Sequence, residues 1–96
     1  MVRHIVCFKL KDNSIEAKEE AKKILLSMKG RIPYLKNIEV GCDYLNSERS
    51  YDVVLITDFL SKEDAESYQT DEYHCSVVKP YMHEKRTASV AIDYEF

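Results

Sequence analysis

Glycine and proline are scarce: Gly30, Gly41, Pro33 and Pro80 are the only ones among 96 residues. This leaves no linker, repeat or low-complexity segment, and the chain reads as one domain, residues 1–96, built from compact elements. Cys7, Cys42 and Cys75 are odd in number and have no C-x-x-C spacing, which argues against a disulfide framework. Reduced thiols in a cytoplasm are the natural reading. The opening "MVRHIVCFKLKDN" holds no apolar run long enough for a signal peptide or a membrane span. Positive charge is not in surplus either: 14 Lys and Arg stand against 17 Asp and Glu. The basic residues are interleaved with acids, as in "EAKEEAKK", so no cationic stripe forms and neither nucleic acid nor an anionic membrane is implied as a partner. There is no glycine-rich phosphate loop and no Ser-His-Asp spacing, and no cofactor is implied.

The patterning is clear. In residues 3–10, His4, Val6, Phe8 and Leu10 face one way and Arg3, Ile5, Cys7 and Lys9 the other, a strand. The period then becomes helical. Ala17, Ala21, Ile24, Leu25, Met28 and Ile32 form one stripe, with Asn13 and Glu16 suited to the cap and Gly30 with Pro33 to the stop. Residues 37–44 and 51–59 read as a second and third strand joined by the turn "LNSERS", and residues 86–96 as a fourth. Ser61 with Asp64 resembles a capping box that opens "SKEDAESYQ" as a helix.

The resulting order, β-α-β-β-α-β, is the ferredoxin-like α+β topology, with helices on one face of an antiparallel sheet. Ile5, Cys7, Val54 and Ile56 make the other face apolar as well. A second sheet covering that face, most simply from another protomer, predicts a homodimer.

The segments "MVRHIVCFKLKD", "IPYLKNIEVGCD", "YDVVLITDFLSKEDAESYQTDEYH" and "SVAIDYEF" together resemble the stress-responsive α/β-barrel domain (Dabb) proteins. The match runs nearly end to end. It implies a dimeric α+β barrel and a stress-responsive protein whose biochemical activity the resemblance leaves open. Within the family, the polyketide-cyclase branch uses a tyrosine, a histidine six positions later and a histidine on the first strand. These match Tyr68, His74 and His4, which implies a cofactor-free cyclase as the alternative function. The chain has Val53 where that branch has a further pocket histidine, and Asp71-Glu72-Tyr73-His74 where the family commonly reads His-Pro-x-His. Cofactor-independent monooxygenases share the dimeric barrel and form a weaker alternative; this chain lacks the tryptophan that such sites often employ.

Tyr68, His74 and His4 are the candidate catalytic residues. In one continuous helix, six positions make about 600° of rotation and leave Tyr68 and His74 roughly 120° apart. A break at "TDE", with Thr70 or Asp71 capping a second helical piece, would place His74 in a first turn, where the helix dipole favours the neutral ring. A neutral imidazole can act as general base toward a C–H beside a carbonyl, with Tyr68 orienting the substrate oxygen. The same two residues also fit an amphipathic helix edge. His4 shares its face with Val6, Phe8 and Leu10 and points at the helix layer, either as a core histidine or as the second polar group of a pocket for a small hydrophobic or aromatic ligand. Two histidines without a third suitably spaced ligand are too few for zinc, so no metal is implied. His83 reads as a helix C-terminal cation, Cys7 and Cys42 as small buried hydrophobes, and Pro80 as a limit on the second helical piece.

Overall fold

The computed structural model describes residues 1–96. The elements are β1 (Val2–Leu10), α1 (Ile15–Leu26), β2 (Asn37–Cys42), β3 (Val53–Phe59), α2 (Lys62–Gln69), a π-helical turn (His74–Val78), α3 (Lys79–Lys85) and β4 (Arg86–Glu95). Four strands pair antiparallel in the order β2-β3-β1-β4, which is the ferredoxin-like arrangement. No helix is long and apolar enough to cross a membrane.

Strand register sorts the side chains into two layers. Phe8, Leu10, Val40, Val53, Leu55 and Phe59 line the inner face and pack against Ala21, Leu25, Met28 and Ile32. Burial of each large side chain of this kind contributes about 1.5–3 kcal/mol. On the outer face Ile5 stands between Ile56 and Ile92, and Cys7 between Val54 and Val90. Val90, Ile92, Tyr94 and Phe96 are left exposed. Cys7 and Cys42, expected to be buried, are only half-buried, and all three cysteines are free.

The helix ends differ from the sequence expectation in instructive ways. Ser14, not Asn13, caps α1: its Oγ accepts the Ala17 N–H at 3.2 Å. Asn13 instead donates to Asn46 across a loop contact. The helix ends at Leu26, before Gly30, yet Met28 and Ile32 remain 0% and 2% exposed because the following turn folds them back onto the sheet. Gly30 takes φ +81°, a left-handed value that suits glycine. Ser61 does cap α2, accepting the Asp64 N–H at 3.1 Å.

β2 and β3 are shorter than the predicted spans. Asp52 is buried and its Oδ2 accepts the Leu10 N–H at 2.7 Å, while its backbone N–H donates to the Phe8 carbonyl at 2.8 Å, tying the loop to the end of β1. Tyr44, inside the predicted second strand, lies past the end of β2 and is 93% exposed.

The stretch after α2 breaks as the helical count requires. The Thr70 N–H turns back to the Ser67 carbonyl, and Asp71 Oδ2 accepts the His74 N–H at 3.1 Å to open a new helical run. Its first part is π-helical, with the Lys79 N–H reaching the His74 carbonyl. The next residue, Pro80, sits in the first turn of α3, where its missing N–H costs little. The run therefore continues to Lys85, past the limit that Pro80 alone predicts.

Candidate functional site

Between β1, β4 and the second helical region lies an open cleft of about 300 Å³. The space exists because the inner row of β4 is small there: Ser89 faces Phe8 and Ala91 faces Val6. Leu55 and Val6 form part of the floor, and Tyr68, His74, Val78 and Met82 form the helical wall. A neighbouring groove of about 400 Å³ between α1 and α3 is lined by Asp12, Glu16, Glu20, Tyr81 and Glu84 and holds no histidine or cysteine. The histidines line the first cleft.

The three candidate residues come together. The His74 ring stacks on Tyr68 with centroids 4.0 Å apart and planes 13° from parallel. The His4 ring meets the same tyrosine edge-on at 6.2 Å. The break at Thr70–Asp71 and the π-helical turn produce this convergence, which a continuous helix would have prevented.

His74 Nδ1 lies 2.9 Å from the Tyr68 carbonyl oxygen. A carbonyl only accepts, so Nδ1 carries the proton and Nε2 keeps its lone pair. No buried side-chain nitrogen or oxygen lacks a partner, and Nε2 has none within the chain, so this atom opens to the cleft. Burial pushes the His74 pKa below its ordinary value, against the opposing effect of the Tyr68 carbonyl; nearby Lys79 adds to the depression. The ring is neutral at pH 7.

His4 is oriented from elsewhere. Its Nδ1 is 2.5 Å from Asp93 Oδ1, leaving Nε2 as the available ring nitrogen on the cleft wall. Asp93, which was not singled out from the sequence, holds this ring. Its signal was present: it occupies the inner row of β4, where alternation leaves Ser89, Ala91 and Asp93 opposite Phe8, Val6 and His4.

Tyr68 occupies its predicted place with a different use of its atoms. It is 1% exposed, stacks on Phe59 at 5.2 Å, and its hydroxyl donates to Met28 Sδ at 3.6 Å, away from the residues that line the cleft. Burial raises its pKa well above the ordinary tyrosine value. Its ring and its carbonyl, rather than its hydroxyl, serve the site by holding His74. The thiol of neighbouring Cys75 donates to the Gln69 carbonyl at 3.2 Å on the surface. No third His, Cys, Asp or Glu joins His4 and His74 in a group spaced to hold a metal.

Comparison with known proteins yields one family match. The model of the stress responsive A/B barrel domain, Dabb, matches residues 2–96. A dimeric protein of unknown function and ferredoxin-like fold from Bacteroides fragilis is 27% identical, with a TM-score of 0.80 over 99% of this chain and 95% of that one. A dimeric ferredoxin-like protein of unknown function from Thermobifida fusca is 23% identical, with a TM-score of 0.83 over 99% and 90% of the two chains. An Arabidopsis thaliana protein is 24% identical, with a TM-score of 0.84 over 100% and 95%. No protein of curated function matches the chain.

Proposed function

The chain belongs to the stress-responsive A/B barrel (Dabb) family, and from that premise we propose that its cleft is a cofactor-free site for proton abstraction beside a carbonyl. The observation that carries this reading is the state of His74: Nδ1 donates to the Tyr68 carbonyl and Nε2 opens to the cleft as a neutral base. In the step, the C–H bond breaks, its proton moves to Nε2, and the electron pair spreads onto the carbonyl oxygen as an enolate. That carbon then attacks a second carbonyl of the same molecule to close a ring, and the oxygen of that second carbonyl takes the proton back from Nε2, restoring the neutral base. This is cyclisation of a polyketide-like chain, with the apolar floor accommodating the rest of the substrate.

The protein works as a homodimer in this reading. The exposed row Val90, Ile92 and Tyr94, continuous with Ile5, Cys7, Val54 and Ile56, forms an apolar outer face that a second sheet would cover. The Bacteroides fragilis relative is dimeric, which supports the same arrangement. Three unpaired cysteines suit a reducing cytoplasm.

The test is deuterium incorporation from heavy water into an uncharged β-ketoester with a medium-length alkyl chain, followed by NMR. Wild type is expected to exceed the uncatalysed rate, and His74→Ala to fall back to it. Equal rates in the two proteins would exclude His74 as the base.

A further inference from the structure

The proposed chemistry uses one end of the cleft, and the other end has a distinct composition. Along β1 the rows His4, Val6, Phe8 and Leu10 stand opposite Asp93, Ala91, Ser89 and Arg86. At about 3.4 Å per residue, the His4 and Phe8 rows on the cleft wall are about 14 Å apart, and Arg86 lies beyond Phe8. The cleft is thus elongated, with two histidines at one end and Arg86 toward the other.

Every formally charged residue on its wall is basic. Lys79 and Arg86 line it, His83 joins them one helical turn after Lys79, and no aspartate or glutamate is among the lining residues. This occurs in a chain of net charge -3. The acids of this region lie in the adjacent groove instead, where Tyr81 donates to Glu20 at 2.8 Å. Lys79 Nζ is held by the Gln69 carbonyl at 2.7 Å. Arg86 is half-buried and forms none of the chain's three ion pairs, which join Arg3 to Asp58, His4 to Asp93 and Lys62 to Glu95. A guanidinium in a concave, partly apolar wall without a counter-charge is a fork for an oxyanion.

We propose that the cleft takes an elongated apolar molecule ending in an oxyanion, with the anionic end on Arg86 and the apolar body over Phe8, Ser89 and Ala91 toward the histidines. This rests on reading the cleft as a small-molecule site and names the class of its ligand. A carboxylate and a phosphate share the required chemistry.

Calorimetric titration with decanoate, decyl phosphate and decanol separates these cases. Wild type is expected to bind at least one of the two anions about tenfold or more tightly than decanol, the stronger anion identifying the source of the charge. In Arg86→Gln that preference is expected to disappear while decanol binding stays unchanged. Added salt should weaken anion binding in wild type and leave decanol binding unaffected.

Three results would overturn the proposal: parity of the three probes in wild type, an anion preference that survives in Arg86→Gln, or no binding of any probe. Should Arg86→Gln fail to fold, the anion-to-decanol ratio of wild type and its salt dependence decide. Parity would remove the anion assignment alone, because the β-ketoester in the deuterium assay is uncharged and its exchange reports on His74.

Discussion

The imidazole of His74 lies nearly parallel to the ring of Tyr68, 4.0 Å away, while its Nδ1–H is held by the carbonyl of the same tyrosine at 2.9 Å. One residue thus sets both the plane of the base and its tautomer. The phenolic hydroxyl takes no part and contacts Met28. Tyr68→Phe should therefore retain deuterium exchange within about twofold, since ring and carbonyl remain. Tyr68→Ala should lose exchange and destabilise the fold by about 3–5 kcal/mol, as expected for emptying a buried aromatic site. Chemical denaturation together with the exchange assay checks both; a large loss in Tyr68→Phe would restore the hydroxyl as a substrate contact.

Burial lowers the pKa of His74 in the folded state, so the unfolded chain binds its proton more readily in the interval below the unfolded value of about 6.5. Stability from this group is complete above that value and declines as the pH falls toward the folded pKa. His74→Gln should remove this part of the pH dependence. Urea denaturation of both proteins across pH 5–8 measures it: the stability difference should shift toward the variant on acidification. NMR titration of the ring gives the folded pKa directly.

Asp58, on the outer face, has a linkage of the same sign in a more acidic interval. Arg3 grips its carboxylate at 2.8 and 3.0 Å, and Asn37 adds a bond at 3.2 Å. The Arg3 hydrogen bonds hold its pKa below the ordinary carboxylate value despite burial. Its contribution is present above the unfolded value of about 3.9 and is lost as pH falls through the folded pKa. Asp58→Asn should lower Tm by about 5 °C or more at pH 7, and the gap to wild type should narrow in strong acid. A pH-independent gap would assign the loss to packing.

Asp93 acts on the cleft only through His4. Asp93→Asn should reduce turnover more than it changes KM, and should alter the tautomer signature of His4 in nitrogen-15 spectra. Tm should shift little, because the Asp93 side chain is 61% exposed. Unchanged His4 signals would exclude the positioning role.

Ile92 is 59% exposed at the centre of the outer face, opposite Ile5. Ile92→Lys should convert a dimer into a monomer in sedimentation velocity at micromolar concentration, since a charge would then lie between two sheets. A wild-type protein that sediments as a monomer would remove the dimer from the proposal.

Alternation in β1 and β3, the stripe from Ala17 to Ile32 and the cap at Ser61 are local regularities, and they sufficed for the order of elements and for the inward placement of His4. They also exposed the geometric problem between Tyr68 and His74, because six residues of helix cannot converge. The solution belongs to the tertiary structure. Asp71 caps a new run, the π-helical turn sets its phase, and packing against Phe59 buries the tyrosine that holds the base. Strand boundaries near Asp52 and the pairing of His4 with Asp93 were likewise decided by contacts 42 and 89 residues apart in the chain. Hydrophobic period records which face a residue takes. Which polar partner meets it there depends on strand order and register, which arise when distant segments pair.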